Sequence, residues 1–156
     1  IEHDILKIAV IERHHNTGHI GNAFIKGIGL KEGAIASSVA HDSHNLIVIG
    51  TNTDDMAFAA NRIRELGGGI VSVKNGKVVA EMPLPIGGLM SCETAERAAE
   101  ENETVRESVY SLGVPKGFEP FMIMSFLSLP VIPHLKLTTM GLVNVDAQRK
   151  VRLAAE

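Results

Sequence analysis

A stretch near the middle of the 156-residue chain constrains the fold most, because it has the pattern of a helix with two clear ends. Apolar residues recur at three- and four-residue spacing between positions 54 and 66, which predicts an amphipathic helix. Residues 51–55 (TNTDD) offer capping side chains and acids for the first turn. The glycines at 67–69 supply the left-handed residue that commonly ends a helix. This helix is therefore expected to bury one face against a core.

Short runs rich in β-branched residues surround this helix and predict a sheet. They cover residues 5–11, 20–28, 34–40, 46–49, 70–73 and 77–81. Asn75-Gly76 lies between the last two runs and is a strong signal for a tight hairpin turn. Strands and helices mix without strict alternation. We therefore predict one α+β domain over residues 1–156, with helices packed on a mixed β-sheet.

A second long helix is expected after a constrained loop. Residues 83–88 are rich in proline and glycine, which breaks regular structure. Residues 91–94 (SCET) can then cap a charge-rich helix that runs to about Leu112. A last strand is expected near residues 135–145, and the tail beyond Asp146 is expected to be loosely ordered.

A short helix is expected within residues 118–129, ahead of a proline. This segment concentrates large apolar residues, among them Met122, Met124 and Phe126. Methionine and aromatic side chains at such spacing are usually core residues. All three are therefore expected to be buried.

Composition and charge exclude several classes of function. Hydrophobic residues make up 45% of the chain and charged residues 21%, which is the balance of a folded globular protein. The formal net charge is -3 without a basic run, so nucleic acid is not an expected partner. No apolar stretch is long enough to cross a bilayer and no secretory signal is recognisable. We expect a cytoplasmic protein that binds no membrane.

The ends and the cysteine content add two expectations. Cys92 is the single cysteine, so no internal disulfide can form. The chain opens on Ile1 and runs directly into an apolar strand, which does not resemble a natural translation start. We therefore expect a fragment of a longer protein.

The most informative segment for function is residues 37–45 (SSVAHDSHN), a polar cluster between two apolar runs. Such a cluster has to be satisfied by protein partners or by a ligand. His41, Asp42 and His44 carry donor atoms suited to a divalent metal, but their spacing matches no strong metal motif. Adjacent residues are also poorly placed to form a Ser-His-Asp triad. The remaining interpretation is a turn whose side chains hold only its own backbone.

A second polar cluster, Arg13 with His14 and His15, follows the first predicted strand. It can meet the first cluster in space, although neither cluster needs the other. By itself, a histidine pair beyond a strand is more often a surface feature than a site.

Several ordered motifs together resemble the C-terminal domain of adenine deaminases. They are IERHH at 11–15, GLKEGAIASSVAHDSHN at 29–45, VIGTN at 48–52, the glycines at 67–69, LPIGGLMS at 84–91, PFM at 120–122 and SFL at 125–127. The resemblance covers nearly the whole chain, up to GLV at 141–143. It implies an enzyme of the amidohydrolase superfamily that hydrolyses adenine to hypoxanthine and ammonia.

The same resemblance implies a role for both polar clusters. This domain would close over the purine pocket of a separate barrel domain, or contribute residues to it. Imidazole, hydroxyl and carboxylate groups can orient adenine through directional hydrogen bonds. The resemblance assigns substrate binding to Arg13, His14 and Ser43. It assigns catalysis to His41, Asp42 and His44.

The metal of such an enzyme is not expected in this chain. The resemblance implies Mn²⁺ or Fe²⁺ in the full-length enzyme, bound by the absent barrel domain. The superfamily's metal motif is His-x-His, and this chain contains none. No metal ligand and no cofactor are expected in this chain alone, and the isolated fragment is expected to be inactive. Its expected partners are adenine, the barrel domain and further copies in a homo-oligomer.

Two alternative functions stay open. The first is a stand-alone metal-dependent hydrolase that uses His14, His41, Asp42 and His44. The second is a non-catalytic scaffold or oligomerisation domain in which the polar turn is structural.

Overall fold

The computed structural model describes residues 3–153. Its strands are β1 (Ile5–Ile11), β2 (Ile20–Lys26), β3 (Ala34–Ser37), β4 (Leu46–Gly50), β5 (Gly69–Lys74), β6 (Lys77–Pro83), β7 (Leu135–Thr138), β8 (Gly141–Asn144) and β9 (Arg149–Lys150). Its helices are α1 (Thr53–Leu66), α2 (Ala95–Ser111) and α3 (Pro120–Leu127). The predicted α+β class, with helices packed on a sheet, is confirmed.

The strands form two sheets. The larger one has six strands in the order β2-β1-β4-β3-β5-β6, and β7, β8 and β9 form a small sheet. Every strand pair within residues 3–153 is antiparallel, whereas the sequence analysis expected mixed directions. The reason is that short connections join β1 to β2, β3 to β4 and β5 to β6, and a short connection reverses the chain.

Both faces of the six-stranded sheet are covered. α1 packs on one face, over a core that includes Val48, Ile63 and Val71. α2, α3 and the small sheet cover the other face, over residues such as Ile35 and Ile49. The two central strands, β3 and β4, are buried along their whole length. Their connection is therefore held by the most buried part of the fold.

The ends of α1 follow the sequence prediction. Asn52 caps the helix, and its side-chain oxygen accepts a hydrogen bond from the backbone N–H of Asp55 at 2.8 Å. Gly67 ends the helix in the left-handed conformation, with φ 75°. Asn75 and Gly76 form the predicted hairpin turn, and both have positive φ angles, of 52° and 68°.

α3 departs from the sequence prediction in what it buries. Met124 is fully buried, but Met122 is 65% exposed and Phe126 is 41% exposed. The two exposed residues are four positions apart and lie on the same side of the helix. A helix of eight residues on the sheet surface buries only one side. The expectation that all three residues belong to the core was therefore wrong for Met122 and Phe126.

Apart from α3, the second half of the chain largely agrees with the sequence prediction. Thr94 caps α2 through a hydrogen bond from the backbone N–H of Arg97 at 3.3 Å. The tail was expected to be loosely ordered, but Lys150 pairs with Val143 in the small sheet. The rest of the tail, residues 154–156, lies outside the described residues. Within residues 3–153, no helix combines the length and the apolar character needed to span a bilayer.

Candidate active site

Three loops meet at one end of the six-stranded sheet, the end where β1 and β3 finish and β4 begins. We call it the site end. The loops are residues 12–19 after β1, the β3–β4 turn at 38–45, and residues 84–91 after β6. Antiparallel pairing brings them together, because Ile11 lies opposite Leu46 and Gly69 lies opposite Pro83. The six site residues predicted from the sequence all lie on the first two of these loops.

The β3–β4 turn is braced through its backbone. The N–H of His44 donates to the carbonyl oxygen of Ala40 at 2.6 Å, and the N–H of Ala40 donates to Nδ1 of His44 at 3.3 Å. On the other side, the N–H of His41 donates to the carbonyl oxygen of Ser125 in α3 at 2.8 Å. The turn is therefore held both by itself and by α3.

Arg13 ties the three loops together. Its Nε donates to the carbonyl oxygen of His44 at 2.5 Å, and its Nη2 donates to the carbonyl oxygen of Gly87 at 2.8 Å. Gly88 lies beside it with a φ of 78°, which favours glycine, and a Cβ there would lie 2.7 Å from the guanidinium. Burial lowers the pKa of Arg13 from its usual value. These contacts make Arg13 a bridge between the turn and the loop after β6.

Ser38 supplies a second tie that the sequence analysis missed. Its hydroxyl oxygen lies 2.6 Å from the carbonyl oxygen of Gly88 and accepts a hydrogen bond from the N–H of Gly69 at 2.8 Å. Ser38 is fully buried. Its only signal in the sequence is a serine at the end of an apolar strand, which does not reveal a partner that is 50 positions away.

Glu12 organises the loop that carries His14. Its carboxylate accepts hydrogen bonds from the backbone N–H groups of Thr17, His15 and His14, the first two at 3.0 and 2.8 Å. The N–H of Thr17 has the largest effect, and together these bonds outweigh desolvation and lower the pKa of Glu12 to about 2. The carboxylate is therefore ionised at neutral pH and holds the loop in place.

His14 reaches the β3–β4 turn from this loop. Its Nε2 lies 2.7 Å from the carbonyl oxygen of Ser43. A carbonyl oxygen can only accept, so Nε2 carries the proton in this contact. The predicted meeting of the two polar clusters is thus present, through His14 with Ser43 and Arg13 with His44.

The outward side of the turn has unused polar groups. The side chains of His41, Asp42 and Ser43 are exposed. Within residues 3–153, neither His41 nor Asp42 has a side-chain hydrogen bond or ion pair, although the His41 ring lies 4.8 Å from the Phe126 ring. The Ser43 hydroxyl has only a long contact of 3.5 Å with the N–H of Asn45. Apart from these contacts, the three side chains face solvent.

His44 has a structural role in the turn. Its Nδ1 is occupied as an acceptor for Ala40, which leaves Nε2 as the N–H of the neutral ring. Burial is the largest cause that lowers its pKa below 6.5; electrostatic interactions with His41, Arg13 and His14 add to it, and the Asp42 carboxylate opposes it. The ring is therefore biased towards its neutral form.

Two clefts of the described residues lie near the site end. One cleft of about 210 Å³ lies beside Arg13 and Arg64, and another of about 280 Å³ is lined by Val39 and Ser125 among others. None of the residues 41–43 is among those that line these two clefts. The side chains of residues 41–43 therefore lie on an open surface and not inside either of these clefts.

A metal centre is not formed by the described part of the chain. In residues 3–153, no three His, Cys, Asp or Glu side chains are grouped closely enough to hold one ion. The ligand set of the stand-alone hydrolase, His14 with His41, Asp42 and His44, therefore does not assemble. Nδ1 of His44 and Nε2 of His14 are both engaged by backbone groups.

Comparisons with known proteins identify the family of the chain. A family model described as the adenine deaminase C-terminal domain matches residues 1–149. The chain is 52% identical over 146 residues to Adenine deaminase 1 of Agrobacterium fabrum, which covers 94% of this chain and 25% of that protein. It is 54% identical over 145 residues to Adenine deaminase of Brucella anthropi, which covers 93% of this chain and 26% of that protein. The chain thus spans about a quarter of the length of these relatives.

Proposed function

Because the chain belongs to the adenine deaminase C-terminal domain family, we propose that it forms one wall of the purine site in an adenine deaminase. The observation that carries this proposal is the outward side of the β3–β4 turn. His41, Asp42 and Ser43 are exposed and uncommitted there, while the backbone beneath them is braced by Arg13 and Ser125. Rigid backbone with free polar side chains is what a binding site requires.

The reaction we infer is the hydrolysis of adenine. Water adds its oxygen to the ring carbon that bears the amine, the carbon–nitrogen bond breaks, and hypoxanthine and ammonia leave. The protons that move in this exchange need acid and base groups near the amine. We assign this role to the Asp42 carboxylate, which can accept a proton, and to the His41 ring, which can accept or donate one.

The other predicted residues orient the base and the turn. Nε2–H of His44 can donate to a ring nitrogen of adenine, and the Ser43 hydroxyl can donate or accept. Arg13 and His14 already give hydrogen bonds to the carbonyl oxygens of His44 and Ser43. Their part in substrate binding is therefore mainly to position the turn, with Nη1 of Arg13 left for a direct contact.

The manganese or iron implied by the family has no set of ligands in residues 3–153. The donor atoms present do not fit a metal site, and we derive no step of the reaction through an ion held by this chain. We infer that a metal would be bound by the part of an adenine deaminase that lies outside this chain. Such an ion supplies an activated water when bound.

The test is the Asp42→Asn substitution in a longer adenine deaminase that contains this domain. We expect kcat/KM for adenine to fall by about tenfold or more, which corresponds to about 1.4 kcal/mol of transition-state stabilisation. The melting temperature should stay within a degree or two of the wild-type value, because Asp42 makes no hydrogen bond in the described part of the chain.

A matched control is Asp54→Asn, which changes an exposed aspartate in the first turn of α1, at the opposite end of the sheet. It should leave kcat/KM close to wild type. The 156-residue chain alone should release no ammonia from adenine. Sustained turnover by the chain with added manganese would support the stand-alone hydrolase instead, and wild-type kinetics for Asp42→Asn would remove the turn from the site.

A further inference from the structure

Two uncharged surface segments flank the β3–β4 turn. Residues 82–92 (MPLPIGGLMSC) and 120–133 (PFMIMSFLSLPVIP) contain no charged side chain. Several of their large apolar side chains are exposed to solvent, whereas Leu84, Met124 and Leu129 are buried. We call the exposed ones in the loop after β6 and in α3 the apolar flanks; they are Ile86, Leu89, Met90, Met122 and Phe126.

Both flanks are fixed to the turn. On one side, the Ser38 hydroxyl lies 2.6 Å from the carbonyl oxygen of Gly88, within the loop after β6. On the other side, the His41 N–H donates to the carbonyl oxygen of Ser125, and the His41 ring contacts the Phe126 ring. The polar turn and the apolar flanks therefore form one continuous surface.

The flanks differ from α2 in the chemistry of their exposed side chains, although apolar side chains such as Phe24 and Leu135 are exposed elsewhere. α2 is also a surface helix, and its exposed positions carry charges, as at Arg97, Glu100 and Glu103. α3 has no charged residue, and its most exposed side chains are Met122 and Phe126. Exposed apolar side chains grouped on each side of a polar centre are typical of an interface with another protein surface.

We propose that the apolar flanks dock against the catalytic part of an adenine deaminase and seal the turn from bulk water. The proposal rests on the proposed function of the turn. The occupant follows from length, because this chain spans about a quarter of the relatives it matches and the remaining three quarters is covalently available to cover the surface. Apolar contacts around a polar centre exclude water and strengthen the hydrogen bonds inside.

Methionine side chains in the chain can report whether this surface is covered. Met90 is 58% exposed and Met122 is 65% exposed, and both belong to the apolar flanks. Met140, in the turn between β7 and β8, is 55% exposed and serves as a control of the same chemistry. Oxidation of methionine to its sulfoxide follows exposure and can be measured by mass spectrometry.

The experiment compares oxidation rates in a folded adenine deaminase that contains this domain with those in the same protein unfolded in urea. We expect Met90 and Met122 to be protected by about tenfold or more, and Met140 by no more than about threefold. Rates at Met90 and Met122 within about twofold of the unfolded protein would overturn the proposal. Equal protection of Met140 would also overturn it, because the effect would not be specific to the flanks.

A substitution separates this proposal from the function of the turn. Met122→Glu in the same enzyme should lower kcat/KM for adenine and raise the oxidation rate of Met90, because the seal is broken. Val79→Glu changes an exposed apolar residue on the edge strand β6 and should alter neither quantity. If Met122→Glu has wild-type kinetics and a wild-type oxidation rate at Met90, the docking proposal is wrong. The Asp42→Asn variant tests the function of the turn independently.

The second copy of this chain is the other conceivable occupant. Protection of Met90 and Met122 that disappears when the enzyme is diluted to monomers would show that a second copy covers the flanks. That result would overturn the assignment to the catalytic part of the same polypeptide.

Discussion

Asp55 and Asp42 lie at opposite ends of the six-stranded sheet, and their carboxylates have opposite surroundings. Asp55 is buried, and its carboxylate accepts hydrogen bonds from the N–H of Gly76 at 2.7 Å and from the side chain of Asn52 at 2.9 Å. Asp42 is exposed, and its side chain makes no hydrogen bond within residues 3–153. The same residue type therefore holds two loops together at one end and is left available at the other.

The pKa of Asp55 reflects its surroundings. Burial by itself would raise this pKa, but the hydrogen bonds from Asn52 and from the backbone of Gly76 and Asn75 outweigh it and hold the pKa below 3.8. The difference in hydrogen bonding between Asp55 and Asp42 distinguishes polar groups that stabilise the fold from polar groups that are available for function. A polar group that is buried and fully bonded stabilises the fold, whereas one that is exposed on a braced backbone is available for chemistry.

The largest effect is expected at Asp55. Asp55→Ala removes the acceptor for Gly76 and for Asn52 and should lower the free energy of unfolding by about 2 kcal/mol. Urea denaturation measures this loss, and kcat/KM per folded molecule should not change. A variant with wild-type stability would break the comparison between the two ends.

The effect of Asp55 should also depend on pH. Its folded pKa is lowered, so its stabilising contribution is fully present above its unfolded pKa of 3.8. The contribution is lost as the pH falls through the folded pKa. Wild type and Asp55→Ala should therefore become more similar in stability in acid, and an undiminished difference there would contradict the assignment.

A smaller effect is expected at Arg13, which bridges the loops of the site end. Arg13→Gln removes the donors to His44 and Gly87 and should lower the free energy of unfolding by about 1.5 kcal/mol. Faster amide hydrogen exchange in residues 40–44 should accompany it. Arg13→Lys is the matched control for charge, and it should rescue little, because one ammonium lacks the planar fork that spans two carbonyl oxygens. Full rescue by lysine would show that only charge matters.

The smallest effect is expected at His44, and it appears as a pH dependence. Because the folded pKa of His44 is lowered, the unfolded chain binds more protons below pH 6.5. The free energy of unfolding should therefore fall as the pH drops below 6.5, by less than about 1 kcal/mol from this residue. His44→Gln should flatten that part of the profile between pH 7.5 and 5.5.

The control for His44 is another histidine in the same chain. His134 lies in the small sheet region and pairs with Asp146 at 2.7 Å, away from the turn. His134→Gln removes one histidine but leaves the site end unchanged, so it shows the effect on the pH profile of losing any one histidine. An unchanged pH profile for His44→Gln would show that the lowered pKa has no consequence for stability.

Local elements were predictable where one short segment contains all of its determinants. The cap, the apolar stripe and the final glycine of α1 lie within 16 residues, and all three have the predicted role. Asn75 and Gly76 predict their turn for the same reason, because the turn needs positive φ angles that these residues tolerate. The composition of α3 indicated a helix, but Met122 and Phe126 are exposed, because a sequence of uniformly apolar residues does not say which side faces the sheet.

The candidate site divides in the same way. The polar segment at 41–44 was recognisable from its position between two apolar runs, and the resemblance named its residues. The hydrogen bond between Ser38 and Gly88 was not recognisable. These two residues are 50 positions apart in the chain, and they meet only when β3 and β6 are placed in the sheet. The sequence pattern also did not predict the direction of the strands. Strand direction places the loops after β1, β3 and β6 at the same end of the sheet.

The sequence by itself determined the helices, the hairpin turn, the α+β class and the family of this protein, because periodicity, capping and motif are properties of neighbouring residues. Only the tertiary structure determined which polar side chains form hydrogen bonds within the protein and which remain exposed without them. Arg13 and His14 have the residue types of substrate contacts, yet their donors reach the carbonyl oxygens of His44 and Ser43. Asp42 stays exposed on the turn that they hold. Hydrogen bonds between distant segments depend on distance in space, and a sequence states only distance along the chain.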